Sequence, residues 1–199
     1  MKIITVAQQK GGVGKTTLSL NIASCLQNGG LRVALLDTDV QGSLTETSHT
    51  FEGIDILPPQ ELPNFASLPY DFLLIDTPPY LTDSLADLFS ISDYVLVPTT
   101  IGIYDVLAMK ATLSTLREVQ KKKPLLKYGV VINRLRTNTN MLKESMDILE
   151  GYNAVVLKTR ISERVSYIRS AITNGIFGTT DPKAQQEIYS LTLEIINEI

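Results

Sequence analysis

The chain has 199 residues, 44% apolar and 20% charged, with 18 Lys/Arg against 21 Asp/Glu for a net charge of −3. That is ordinary globular composition, which argues against a disordered tail or a coiled coil, and a domain of this length buries ~70% of its unfolded surface without needing a disulfide or structural metal. One cysteine, Cys25, and one histidine, His49, cannot build a four-ligand zinc site or an iron–sulfur cage, and no run approaches the ~18 apolar residues of a membrane span.

The start, MKIITVAQQKGG, lacks an extended apolar signal region and a small-residue cleavage site, which predicts a leaderless cytoplasmic protein. Residues 3–7 form a short, continuous, β-branched run, as expected of a strand buried on both faces. A glycine-rich segment follows, then a helical pattern over residues 16–27. Further strands are predicted at 33–36, 72–75, 94–97, 130–132 and 154–157, with helices over 104–120, 138–150 and about 165–173. Asp181-Pro182, a capping residue followed by proline at the first helical position, opens a last helix with Ile188, Leu191, Ile195 and Ile199 at helical spacing. Loops are expected over 37–68, polar and proline-rich, and over 174–180. The alternation predicts an α/β fold, a mostly parallel twisted sheet flanked by helices on both faces with right-handed crossovers, as one domain over 1–199.

The strongest chemical signal is Gln9-Lys10-Gly11-Gly12-Val13-Gly14-Lys15-Thr16-Thr17, directly after the first strand and opening the first helix. A phosphate loop requires that context. Glycines let successive amides form an anion nest, the helix amino terminus adds partial positive charge, Lys15 reaches the β and γ phosphates, and the Thr16 hydroxyl ligates Mg²⁺. Against GxxxxGK[ST], position 9 is Gln instead of Gly, and a second lysine, Lys10, lies inside the loop. Three carboxylates, Asp37 and Asp39 after the second strand and Asp76 after the strand over 72–75, fall at strand carboxyl ends, which face the ligand crevice of α/β sheets. Asp76 follows the Walker B logic, orienting Mg²⁺ through a bound water. A lone aspartate there is commonly a turn former or cap; three beside a phosphate loop are not. The fold expected is therefore that of a P-loop NTPase.

These motifs resemble the deviant Walker A ATPases, the family that includes the ParA partition proteins and the MinD division-site proteins. The resemblance covers most of the chain, from the first strand to about Phe177. It implies ATP and Mg²⁺ as cofactors and slow, partner-stimulated hydrolysis. Lys10 matches the family's signature lysine, which reaches the nucleotide of a second subunit in an ATP homodimer. Asp39 matches the residue that positions the attacking water, Asp37 a partner of the Lys15 and Mg²⁺ network, and Asp76-Thr77-Pro78-Pro79 the second switch. Val40 departs from the usual Pro, which relaxes the backbone after Asp39 and keeps the carboxylate. Asn133-Arg134 matches the adenine-side segment, where Asn133 reads the N6 and N7 edge or is simply a strand-end turn residue. The segment 158–164 matches the other purine-side loop, with Ser162 where Pro is frequent.

Charge is uneven along the chain: residues 1–109 carry 4 basic and 12 acidic side chains (net −8), 110–169 carry 13 and 5 (+8), and 170–199 carry 1 and 4 (−3). The basic stretch is either the footprint of a phosphate backbone or a set of solvated helix faces. Arg160, Arg164 and Arg169 are the candidates for non-specific duplex DNA; the run Lys121, Lys122, Lys123 and Lys127 also fits cations at a helix carboxyl terminus. The acidic last helix argues against a MinD-like membrane anchor. The reading is a short partition-type ATPase without a preceding helix-turn-helix domain, nucleoid-associated, partnered by a small centromere-binding protein. The alternatives are a cargo-positioning or MinD-like membrane-cycling ATPase, and an ATP-dependent synthase on the same fold.

Overall fold

The computed structural model describes residues 1–38, 44, 50–59, 68–79, 85–136 and 139–199. Within them, strands β1 (Lys2–Val6), β2 (Val33–Asp37), β3 (Ile54–Leu57), β4 (Phe72–Asp76), β5 (Tyr94–Thr99), β6 (Lys127–Leu135) and β7 (Val156–Ser162) form one sheet in the order β3-β2-β4-β1-β5-β6-β7. Each of the pairings is parallel. The helices are α1 (Lys15–Asn28), α2 (Leu85–Ile91), α3 (Ile103–Lys122), α4 (Thr139–Gly151), α5 (Val165–Arg169) and α6 (Pro182–Ile196), with 3-10 turns at Ser170–Ile172 and Ile176–Gly178. This is the P-loop NTPase-like architecture expected from the sequence.

Period-two alternation along the buried strands divides the core between the two faces. Ile4, Leu35, Leu74 and Leu96 pack under α1 and α6, while Val95, Val97, Val130 and Ile132 face α2, α3 and α4. Ile3, Leu36, Leu73 and Ile75 continue the second face towards β2. The central strands are apolar at consecutive positions because both of their faces are covered. Cys25 is buried in the first of these cores, where burial raises its thiol pKa. In β6, Gly129 is required: a Cβ there would collide with the Tyr94 hydroxyl and Leu157.

Several elements depart from the sequence expectation. β3 lies inside the span read as a loop; it pairs with β2 from Val33↔Ile54 to Leu36↔Leu57 and forms one edge of the sheet. β6 runs nine residues instead of three, and the helix expected over 165–173 shortens to α5 plus a 3-10 turn. The last helix begins as read: Asp181 accepts from the Ala184 N–H at 3.1 Å, with Pro182 in the first turn.

At the opposite edge, β7 is pinned by α6. Glu194 accepts from the Lys158 N–H (2.7 Å) and Thr159 N–H (3.0 Å), and Glu187 from the Ser162 N–H (3.1 Å). These carboxylates occupy amides of the edge strand, so the acidity of the last helix serves as an edge cover. No helix among the described residues is long and apolar enough to cross a membrane.

Candidate nucleotide site

β1 lies between β4 and β5, where the chain's progress across the sheet reverses, and its carboxyl end opens into the glycine-rich segment. Gly12 and Gly14 adopt φ of +76° and +89°, conformations that favour glycine. Such turns ahead of a helix amino terminus build an anion-binding concavity. Gly14 has a second reason to lack a side chain, since a Cβ there would collide with the Asn133 amide. Asn133, on β6, donates to the Val13 carbonyl at 2.7 Å and accepts from the Arg134 N–H at 2.9 Å. Its first role in this geometry is to brace the phosphate loop; an adenine edge would have to use its remaining amide hydrogen and lone pair. Arg134 reaches the same loop from the other side: φ of +53° turns its backbone, and its guanidinium donates to the Gly12 carbonyl at 3.0 Å.

Lys15 is buried, and its ammonium donates to the Lys10 carbonyl at 3.2 Å, arching over the loop. Thr16 and Thr17 follow in the first turn of α1 and line the cavity. The Thr16 hydroxyl donates to Asp76 at 2.6 Å, and the Ser19 hydroxyl lies 3.2 Å from the other oxygen of the same carboxylate. Parallel pairing sets Asp37 beside Asp76 in register, and Asp37 accepts from the Leu44 N–H at 3.2 Å. Burial, and then the neighbouring Asp37 charge, push the Asp76 pKa up to about 7 against the opposing pull of Thr16, Ser19 and Lys15. Two buried carboxylates and a hydroxyl are hard oxygen donors, and adjacent carboxylates are relieved by a cation between them. Thr16, Asp37 and Asp76 therefore fit Mg²⁺, which is commonly held by one or two carboxylates together with substrate phosphates. Asp39 and Val40 lie outside the described residues.

Lys10 is ion-paired with Asp105, in the first turn of α3, and Asp105 also accepts from the Thr100 hydroxyl. Gly11 and Gly12 are exposed at the loop tip. From the loop a cavity of about 950 Å³ runs between Asn133-Arg134 on one side and the segment from Ile161 to Ala171 on the other. That volume is within the range of nucleotide-sized ligand pockets. Away from the loop the cavity is walled by Ser162, Glu163 and Arg164, on β7 and just beyond it.

The structure treats the three arginine candidates differently. Arg160 and Arg169 are exposed. Arg164 is not a free surface charge: it lines the cavity, its guanidinium lies 3.2 Å from Glu187 and 3.7 Å from Asp181, and its side chain is 27% exposed. Its charge is already offset, which assigns it to the cavity wall. In the lysine run, Lys123 donates to the Ser90 and Ser92 carbonyls and Lys121 pairs with Glu118. That run closes α3 and leads into the start of β6, at the end of the sheet away from the phosphate loop. Asp105 and Glu187 were not legible as site residues, because each acts through a partner distant in the chain.

Residues 4–175 match the family described as CobQ/CobB/MinD/ParA nucleotide binding domain. The chain is 30% identical over 209 residues to "Maintenance of carboxysome distribution protein A" of Halothiobacillus neapolitanus, covering 97% of this chain and 95% of the relative. Among solved structures, a plasmid partition protein from Borrelia burgdorferi superposes with a TM-score of 0.70 at 22% identity, over 100% of this chain and 99% of that one. Cobyrinic acid a,c-diamide synthase from Mycobacterium smegmatis, bound to an ATP analogue and magnesium, gives a TM-score of 0.80 at 22% identity, over 99% and 94%.

Proposed function

Because the chain belongs to the CobQ/CobB/MinD/ParA nucleotide-binding family and is an ATP- and magnesium-dependent ATPase of the ParA/MinD type, we propose that it works as one partition-type domain over residues 1–199. In this reading it dimerises on ATP, binds duplex DNA without sequence preference in that state, and moves a plasmid, chromosome or protein cargo. A small centromere-binding partner stimulates hydrolysis, and the protein is cytoplasmic and nucleoid-associated.

The observation that carries the reading is the surface around Lys10. Asp105, which holds the lysine, is flanked on α3 by Ile103, Tyr104 and Leu107, exposed by 45%, 82% and 44%. An exposed apolar turn beside a phosphate loop favours a second copy laid over the site, with Lys10 reaching the partner's nucleotide. Within one subunit, Lys15 neutralises the β and γ phosphates while the loop amides and α1 terminus hold their oxygens. Bound magnesium would offset phosphate charge in the transition state, held by Thr16, Asp76 and Asp37. Asp39 as the water-positioning carboxylate rests on the motif.

Light scattering tests the central claim. We expect a monomer with ADP and a dimer with ATP, and Lys10→Ala monomeric with both while still holding nucleotide; an ATP dimer of that variant removes the sandwich. The similarity to a carboxysome-distribution protein favours a second reading, cargo positioning, which uses the same cycle with another partner. Turnover that requires a small metabolite in place of DNA would move the chain to the synthase class.

A further inference from the structure

The cavity wall away from the phosphate loop is held from behind by one side chain. Glu187, on α6, accepts from the Ser162 N–H (3.1 Å), the Ser162 hydroxyl (2.7 Å), the Tyr167 hydroxyl (2.8 Å) and the Arg164 guanidinium (3.2 and 3.3 Å). Ser162, Arg164 and Tyr167 line the cavity; Glu187 stands outside its lining. The sheet alone does not fix this wall. β7 is an edge strand, and its register against β6 shifts twice, between Val130 and Ile132 and again between Ile132 and Leu135. A proline at 162, the residue the family resemblance leads one to expect, would have neither the N–H nor the hydroxyl that Glu187 receives.

Phosphates held at the loop leave the remainder of the cavity, bounded by this wall, for the nucleoside. We propose that Glu187 is a positioning residue for nucleoside recognition: through Ser162, Arg164 and Tyr167 it holds the wall against which the base and ribose pack. The proposal rests on the ATP-site reading above. Binding of the nucleoside moiety then depends on Glu187, and binding of the phosphates does not.

Calorimetric titration of the full chain with Mg-ATP and with Mg-tripolyphosphate separates the two halves of the ligand. Glu187→Gln is expected to weaken ATP about tenfold, the scale of hydrogen bonds lost from a charged acceptor, and to leave tripolyphosphate unchanged. Ser162→Ala should give a smaller loss in the same direction, and the double variant should lose less than the sum of the two, because both substitutions act on the Glu187–Ser162 contact. Equal weakening of both ligands, additive losses, or unchanged ATP affinity in a Glu187→Gln chain of lowered Tm would overturn the proposal and leave Glu187 a packing residue. If Glu187→Gln does not fold, Ser162→Ala carries the ATP-against-tripolyphosphate comparison, and equal effects on the two ligands there overturn the proposal. Wild-type protein that binds no ATP removes the site reading and the proposal together; wild type that prefers ATP while the variants match it removes the proposal alone.

Discussion

Lys10 and Asp105 form an ion pair within one chain, joining the tip of the phosphate loop to the first turn of α3. In the proposed ATP dimer the lysine would have to leave this position to reach a nucleotide in the second subunit, exchanging one anionic partner for another. The Lys10 side chain is 41% exposed and that of Asp105 only 15%, so the pair is partly shielded from water and breaking it costs at least the roughly 1 kcal/mol of an exposed ion pair. Asp105→Asn is expected to raise the dimer fraction at a fixed subsaturating ATP concentration several-fold, since about 1 kcal/mol corresponds to about fivefold. Sedimentation velocity gives the fraction directly. An unchanged or lower dimer fraction would mean that Asp105 supports the dimer face and does not restrain the lysine.

Lys15 lies inside the concavity that it would share with the β and γ phosphates. Its ammonium now donates to the Lys10 carbonyl, a neutral acceptor that a phosphate outcompetes on charge. Lys15→Ala should cost about ten- to a hundredfold in ATP affinity, from the loss of one buried charge-assisted contact of ~1.5 to 3 kcal/mol. Equilibrium binding of a fluorescent ATP analogue checks this; wild-type affinity in the variant would place the phosphates elsewhere.

How much of this was legible in the sequence follows from what each residue depends on. β1, β2, β4 and β5 are covered on both faces, so burial writes them as unbroken apolar runs, and the phosphate loop is contiguous, so its spacing survives in the sequence. β3 carries Asp55 at an exposed position and is followed by Pro58-Pro59, which resembles a loop until β2 supplies its pairing partner. Asn133 was identified at its strand end, yet its bracing contact is with Val13, 120 residues away. The acids of the last helix read as net charge, whereas Glu187 and Glu194 point at backbone amides of β7. Pairings of that kind are set by three-dimensional proximity and leave no local pattern.

The Asp76 carboxyl, pushed up to about 7 mainly by burial, gives the empty protein a defined pH dependence. A carboxyl with a raised pKa in the folded state binds its proton more tightly there than in the unfolded chain. Its contribution to stability is therefore fully present below the usual aspartate range near 4 and is lost as pH rises through about 7. A bound cation favours the charged form and reverses this trend. Thermal unfolding without ligand should show Tm falling from about pH 4 to about pH 7, while the increase in Tm on adding Mg-ATP grows over the same interval. Asp76→Asn should flatten both curves. A ligand-free Tm independent of pH in the wild type would mean that Asp76 is charged throughout.

The arginines divide into two classes, and salt separates them. Arg160 and Arg169 are exposed, so in the proposed ATP dimer each is available to a DNA phosphate, and neutralising one removes a contact from each of two subunits. Counterion release gives ~0.9 in the slope of log K against log[salt] per phosphate contact, so Arg160→Gln should lower the slope by about 2 in the dimer while leaving ATP affinity unchanged. Arg164 should behave in the opposite way. Its guanidinium is held between Glu187 and Asp181 on the cavity wall, so Arg164→Gln is expected to weaken ATP and destabilise the chain without changing the slope. Both variants must be compared at one stated salt concentration, because repulsion from the acidic first 109 residues is itself screened beyond ~10 Å at 0.1 M. A slope change in Arg164→Gln at unchanged ATP affinity would return that residue to the DNA face. If neither Arg160→Gln nor Arg169→Gln alters the slope of an ATP dimer that does bind duplex, the contact surface lies elsewhere, with Lys122 and Lys127 at the other end of the sheet the next positions to neutralise.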